Sequence, residues 1–244
     1  MTRVQQSLSI VIPAYNEAER LPRSLARIFS WLDESGTDAE VIVVDDGSRD
    51  ATLHVAQGLA ANEARLRVLG LGRNRGKGAA VRRGVEAAER DWILFSDADL
   101  STPIEEVLRL AEAIEAGSDI AIGSRDVAES DIERHQPWYR EAMGRTFNRI
   151  VQTLAMPGIA DTQCGFKLFS AAAAKRSFAR MTIEGFAFDV EVLFIARRLR
   201  YDIAEVGVRW INDDRTTVDP VWDSARMLLD VARIRYRQRG LRAT

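Results

Sequence analysis

The feature that most constrains this chain is an alternation through its first half. Short apolar runs, each closed by a turn residue or a polar cluster, take turns with segments of helical spacing. Leu8–Ile12, Glu40–Val44, Arg67–Leu71, Trp92–Phe95 and Asp119–Ile122 read as strands, because runs of that length bounded by turn signals suit buried strands. Between them Arg20–Leu32, Asp50–Ala61, Ala79–Glu89 and Thr102–Glu115 read as helices. Thr102 is the expected N-cap of the last, Pro103 its first helical residue, and Glu105 closes a capping box. Parallel strands need crossovers, and crossovers put helices on both faces of the sheet. The expected class is therefore α/β, with a Rossmann-like, mostly parallel central sheet. In such sheets ligands bind at the carboxyl ends of the strands. Three of those ends are polar: Pro13-Ala14-Tyr15-Asn16-Glu17, Asp45-Asp46-Gly47-Ser48 and Asp97-Ala98-Asp99.

The second half is less regular. Arg125–Tyr139 reads as a loop or flap, Arg140–Leu154 as a helix, and Asp161–Ser170 as a turn leading into a strand. Phe188–Leu199 is a helix, Ile203–Trp210 a last strand, Asn212–Pro220 a polar loop and Trp222–Gln238 a final helix. There is no repeat, low-complexity tract or linker, so one domain over residues 1–244 is the economical division.

Composition removes several classes. Lys and Arg number 34 against 36 Asp and Glu, a formal net charge of -2, so no nucleic-acid partner is expected. A single cysteine, Cys164, excludes a disulfide framework and fits a reducing, cytoplasmic setting. Met1 to Ser7 is polar, and no signal peptide or transmembrane helix is expected. Any membrane contact would be peripheral, on the cytoplasmic face. In the last helix Trp222, Ala225, Leu229, Ala232 and Tyr236 fall on one stripe. Arg226, Arg233, Arg235, Arg237 and Arg239 outnumber Asp223 and Asp230 there. That helix either lies on an anionic membrane surface or packs on the domain with its basic face in water.

The chemistry concentrates in the acidic strand ends. Asp97 and Asp99 are two apart, and on an extended chain such side chains point the same way. Two carboxylates so placed make a hard-oxygen site for Mg²⁺ or Mn²⁺, with positions left for phosphate oxygens and water. Asp45 and Asp46 stand at a neighbouring strand end. Ser48 is the plausible cap of the next helix, which leaves both acids free. Arg73-Asn74-Arg75-Gly76-Lys77-Gly78 is either a phosphate loop or a basic surface turn. It is no Walker A loop, since Leu71 and Gly78 break that pattern, and Val81 breaks the dinucleotide fingerprint. Lys77 and the loop amides could still meet phosphates at a helix start. His54 reads as a surface residue, His135 sits in the flap, and Cys164 reads as a packing residue.

Taken in order, Ser9-Ile-Val-Ile-Pro-Ala-Tyr-Asn-Glu17, Val43-Val-Asp-Asp-Gly-Ser48, Asn74-Arg-Gly-Lys-Gly78, Ser96-Asp-Ala-Asp-Leu100 and Gly123-Ser-Arg125 resemble the family 2 glycosyltransferases of the GT-A fold. Gln136-Pro-Trp-Tyr-Arg140, Asp161-Thr-Gln-Cys-Gly-Phe-Lys167 and Gly185-Phe-Ala-Phe-Asp-Val-Glu191 are similar to the dolichyl- and polyprenyl-phosphate sugar transferases, the glucosyltransferase branch above all. The resemblance runs from about Ser9 to Trp210. It implies a nucleotide-sugar-binding half over 1–100, an acceptor half over 101–218 and a C-terminal amphipathic helix over 219–240. Pro13, Ala14, Tyr15 and Glu17 would line the nucleoside pocket. Val44 would offer its backbone, and Asp46 its carboxylate, to the base. Asp97, through Ala98, to Asp99 would hold the metal and the diphosphate. Arg125 and Arg140 would grip an acceptor phosphate.

Three departures stand out. Ser101 replaces a glutamine that some mannosyl relatives place beside the metal, Gly144 a phosphate-binding serine, and Thr217 a basic loop residue for which Arg215 could substitute. The expected reaction is inverting, metal-dependent transfer of a sugar, glucose from UDP-glucose first, to a polyprenyl or dolichyl phosphate. A phosphate acceptor is already ionised and needs no strong base; with an alcohol acceptor, Asp189 would be the candidate base. Glu191 reads as a capping or ion-paired residue. GDP-mannose as donor and a soluble or polysaccharide acceptor are the alternatives within the class. An inactive nucleotide-sugar binding module is the alternative outside it.

Overall fold

A computed structural model describes residues 4–127, 130–134, 152–153, 155–211 and 222–238. Its strands are β1 (Leu8–Ala14), β2 (Ala39–Asp45), β3 (Leu66–Gly70), β4 (Trp92–Ser96), β5 (Ile120–Ser124), β6 (Asp131–Arg134), β7 (Phe166–Ser170), β8 (Ile203–Gly207) and β9 (Arg209–Ile211). Seven of them form one sheet in the order β3-β2-β1-β4-β7-β5-β8, and β6 pairs with β9 in a small second sheet. The described helices are α1 (Leu21–Ser35), α2 (Thr52–Ala60), α3 (Lys77–Ala87), α4 (Val107–Glu115), α5 (Ala171–Phe178), α6 (Phe188–Arg198) and α7 (Trp222–Arg237).

The central strands are buried on both faces, as a parallel sheet under crossover helices must be. Successive residues serve opposite layers. Val11, Ile42, Val44, Ile93 and Phe95 pack with α3, α5, α6 and α7. Ile10, Ile12, Val41, Val43 and Leu94 pack with α1, α2 and α4. Each fully buried aliphatic side chain contributes about 1.5–3 kcal/mol, so this period-two division sets the register. In α1, Leu21, Leu25, Ile28 and Leu32 supply the inward stripe, and Gly36 ends the helix at φ 65 with its amide on the Leu32 carbonyl.

Only β7 runs against the rest of the main sheet, antiparallel to β4 and to β5. An antiparallel strand brings its first residues to the carboxyl rim of its neighbour. Lys167 is therefore registered with Phe95 and Phe166 with Ser96, beside the end of β4.

Several expectations change. Thr102 caps nothing: Pro103 sits at the cap of a short 3₁₀ turn, Ile104–Glu106, without a side-chain cap, and α4 starts at Val107. Ser48 is not the cap of α2 either, since Ala51 holds that position. Ser170 ends β7 and caps α5, accepting from the Ala173 amide, so a helix follows in a stretch to which no element is assigned from the sequence. The expected strand 203–210 splits at buried Val208 into β8 and β9, which belong to different sheets. The segment expected as a loop, 125–139, contains β6. The helix expected over 140–154 lies outside the described residues except for Gln152 and Thr153, which are helical.

Among the described side chains of α7, Val231 and Ile234 are buried, as is Gln238 just after it. Leu229 and Tyr236 lie on the opposite face and are 62% and 70% exposed. These two members of the expected stripe thus point away from the domain.

Candidate active site

The loops after β1 and β2 are stitched into one rim. The Asp46 amide donates to the Ala14 carbonyl. The Asn16 amide donates to Ser48 Oγ at 2.9 Å, and Asn16 Oδ1 accepts from the Arg49 amide at 2.9 Å. Glu17 donates its amide to Thr52 Oγ1 at 2.7 Å, while its carboxylate takes the Arg20 fork at 2.6 Å on each oxygen. Val44 lies inside β2, registered with Pro13 and Leu69. Tyr15 is exposed at the tip.

Neither acid of the second strand end is free. Asp45 accepts from the Gly47 and Ser48 amides, a local turn. Asp46 is buried and accepts from the amides of Arg75 and Gly76, each at 2.8 Å. Burial raises its pKa in spite of those two bonds. Asp46 thus clamps the basic loop and fixes the start of α3. Gly76 stands at that start with φ 113, and a Cβ there would meet the Glu184 carbonyl oxygen at 2.4 Å, so only glycine fits. Behind the loop opens a cleft of about 670 Å³ walled by Arg75, Thr182, Phe186, Arg233 and Arg237; neither Asp97 nor Asp99 lines it.

Asp97 and Asp99 come together through a turn rather than an extended chain. β4 ends at Ser96, and the Leu100 amide returns to the Asp97 carbonyl at 3.2 Å. Leu100 adopts φ 50, a left-handed conformation unfavourable for leucine. Asp99 accepts from the Ser101 amide at 2.9 Å. Burial first, and then the charge on Asp97, push the Asp99 carboxyl above the ordinary range. Lys77, the first residue of α3, donates to Asp97 Oδ1 at 2.7 Å. Burial alone would lower the Lys77 pKa, but Asp97 and Asp189 raise it, so the lysine is a firm cation.

A second pair sits deeper. Lys167 on β7 donates to Asp189 on α6 and to the Cys164 carbonyl. Both ammoniums lie near the Phe95 ring, Lys77 at 5.2 Å and Lys167 at 5.6 Å from its centroid. Burial raises the Asp189 pKa, opposed by Lys167 and Lys77.

Directly after β5, Arg125 forks onto Asp161, Nε to Oδ2 at 2.7 Å and Nη2 to Oδ1 at 2.9 Å. Its guanidinium also lies 5.5 Å from the Trp210 ring centroid. Glu205 on β8 accepts from the amides of Ala160 and Asp161 at 2.8 Å each, which holds that acid in place. Glu191 is fully buried and accepts from Thr182, Ile183 and Gln238. It anchors a loop and α7 to α6. Burial pushes the Cys164 thiol up to about 11, which suits packing rather than nucleophilic attack.

Among the described residues no group of three or more His, Cys, Asp or Glu could hold a metal. Asp97 and Asp99 offer two hard carboxylates at a rim that a ligand can reach. A Mg²⁺ or Mn²⁺ ion usually keeps one or two carboxylates and completes its shell with phosphate oxygens and water, so the donor set fits such an ion.

A model of glycosyl transferase family 2 matches residues 9–178. The chain belongs to that family. It is 38% identical over 244 residues to the dolichyl-phosphate beta-glucosyltransferase of Dictyostelium discoideum, covering 94% of this chain and 74% of that one. To the protein of that name from Homo sapiens it is 37% identical over 245 residues, covering 95% and 76%. Among solved structures, mannosyl-3-phosphoglycerate synthase from Rubrobacter xylanophilus superposes with TM-score 0.70 at 20% identity, covering 96% of this chain and 74% of that one. Glucosyl-3-phosphoglycerate synthase from Mycobacterium tuberculosis, crystallised with Mn²⁺, UDP-glucose and phosphoglyceric acid, does so with TM-score 0.70 at 20% identity, covering 97% and 81%. The fold is GT-A.

This family 2 glycosyltransferase brings the expected donor-side residues Pro13, Ala14, Tyr15, Glu17, Val44, Asp46, Lys77, Asp97, Ala98 and Asp99 to the carboxyl ends of three neighbouring strands. Asp189 joins them from α6 through the lysines. Arg125 stands beyond β5, on Asp161. Arg140, Arg215, Gly144 and Thr217 lie outside the described residues. Sequence reasoning gave no role to Lys167, Asp161 or Glu205. One signal was present: a lysine inside the apolar run Phe166-Lys167-Leu168-Phe169 requires a buried partner.

Proposed function

We propose that this glycosyltransferase moves glucose from UDP-glucose to a dolichyl or related polyprenyl phosphate, with inversion at the sugar carbon. The observation that carries the reading is likeness over nearly the whole chain to dolichyl-phosphate beta-glucosyltransferases. An acceptor phosphate oxygen attacks the anomeric carbon. The bond to the diphosphate breaks, and UDP leaves with the electron pair. UDP-glucose is α-linked, so one displacement yields the β-linked product.

Asp97 and Asp99 would hold Mg²⁺ or Mn²⁺, which when bound neutralises charge developing on the leaving diphosphate. Lys77 would reach the same phosphates. Asp161 occupies Nε and Nη2 of Arg125, and we assign its Nη1, with Arg140 and Arg215, to the acceptor phosphate. A phosphate monoester has its second pKa near about 6 and arrives ionised. The sealing of Asp189 against Lys167 favours such an acceptor over an alcohol that would need a base.

No described helix is long and apolar enough to cross a membrane. The outward Leu229 and Tyr236, flanked by Arg233 and Arg237, favour α7 lying on an anionic bilayer surface where a lipid phosphate is presented.

The test incubates the protein with Mg²⁺, polyprenyl phosphate and, separately, UDP-glucose, UDP-GlcNAc and GDP-mannose, and identifies the lipid product. Glucosyl phosphate lipid from UDP-glucose alone is expected. Transfer only to a soluble acceptor, or a trapped glycosyl-enzyme, refutes the reading.

A further inference from the structure

One oxygen of Asp97 is already ion-paired, and the other lies against backbone. Oδ1 lies 2.7 Å from Lys77 Nζ. Oδ2 turns toward Gly165, where an added Cβ would sit 2.0 Å away. The carboxylate is pressed between an ammonium and a backbone. Of these neighbours only the lysine can yield: Gly165 is backbone leading into β7, whereas the ammonium rides on a flexible four-carbon stem. The root of that stem is fixed, because Asp46 holds the amides of Arg75 and Gly76 immediately before it.

A Mg²⁺–oxygen bond is about 2.1 Å long. An ammonium and a divalent ion cannot both occupy that side of Oδ1 at such distances without severe repulsion. We propose that Lys77 competes with the divalent cation for Asp97 Oδ1, and that the donor's diphosphate relieves the competition by giving the ammonium another anion. The inference rests on the metal reading of Asp97 and Asp99.

Charge balance explains why the lysine needs that second anion. Asp97, Asp99 and Asp189 act on Lys77, and Lys77 and Lys167 both lie near the Phe95 ring. A metal entering alone must push an ammonium off its carboxylate. A metal entering with a diphosphate lets the ammonium move from carboxylate to phosphate and keep an ion pair. Metal and nucleotide then favour each other, and by linkage the effect is equal in both directions.

The test titrates Mn²⁺ into wild type, Lys77→Met and Lys77→Arg, with and without UDP, and follows free Mn²⁺ by electron paramagnetic resonance. Wild type is expected to bind Mn²⁺ weakly alone and more tightly with UDP. Lys77→Met should bind Mn²⁺ alone about tenfold tighter than wild type, the size of an ordinary coupling between sites, and gain less from UDP. Lys77→Arg keeps the cation and should behave as wild type. Mn²⁺ alone should raise the Tm of Lys77→Met but not of wild type. If Lys77→Met lacks a cooperative melting transition, Lys77→Gln carries the same comparison.

Lys77→Met binding Mn²⁺ alone no more tightly than wild type overturns the proposal. Asp97→Asn separates the two ways of failing. If it abolishes Mn²⁺ binding while the Lys77 variants change nothing, only the competition falls. If it binds Mn²⁺ as wild type does, the metal reading falls as well.

Discussion

Two lysine–aspartate pairs flank Phe95, and the difference between them is burial. In Lys77–Asp97 the side chains are 22% and 35% exposed. In Lys167–Asp189 they are 1% and 5% exposed. The chemistry of the two pairs is the same, yet water reaches only one. An ion pair open to solvent contributes little to stability and can exchange partners at small cost. A sealed pair cannot, because either charge left alone in the interior is strongly disfavoured. The first pair is therefore suited to binding and the second to holding β7 against α6.

The largest expected effect lies on the sealed pair. Lys167→Met should cost about 3–5 kcal/mol in urea unfolding, and the double variant Lys167→Met/Asp189→Leu should recover much of that loss. No recovery would mean that Asp189 has work beyond pairing. On the open pair the balance reverses: Asp97→Asn should lower kcat about 10²–10³-fold and shift stability by no more than about 1 kcal/mol. A stability loss matching that of Lys167→Met would dissolve the distinction.

Arg125–Asp161 is an intermediate case, with side chains 29% and 0% exposed. Burial would raise the Asp161 carboxyl, but Arg125 holds it below the ordinary 3.8. A depressed folded pKa stabilises above the unfolded value and loses that contribution as pH falls through the folded one. The Tm gap between wild type and Asp161→Asn should stay constant from about pH 8 to about pH 5 and close below about pH 4. The smallest stability effect belongs to the outer face of α7. Leu229→Ser with Tyr236→Ser should move stability by less than about 0.5 kcal/mol while reducing co-sedimentation with anionic liposomes. Unchanged co-sedimentation would remove the membrane contact.

What the sequence made legible follows the same division. β1, β2 and β4 announce themselves as β-branched or aromatic runs, and the acids of the rim follow directly on them in the chain. Proximity along the chain was enough to put Asp46, Asp97 and Asp99 at neighbouring strand ends. The ion pairs were hidden because their members lie on unrelated elements: Lys167 on β7 meets Asp189 on α6, and Arg125 after β5 meets Asp161 before β7. The division of 203–211 between two sheets was hidden for a related reason, since an apolar run does not say which edge it will join. Ser170 concealed α5 by serving two elements at once.

The reversed strand also has a consequence for the order in which a growing chain becomes competent. The loops after β1 and β2 are joined by bonds between residues 32 and 35 apart, within reach as soon as α2 has been synthesised. Asp97 waits far longer for its neighbours. Gly165 and Lys167 arrive with β7, which must enter between β4 and β5 before β5 and β8 can join the sheet. Contacts so distant along the chain form late. A ribosome-bound fragment that stops short of β7 would display finished donor loops around an acidic turn with half its surroundings missing.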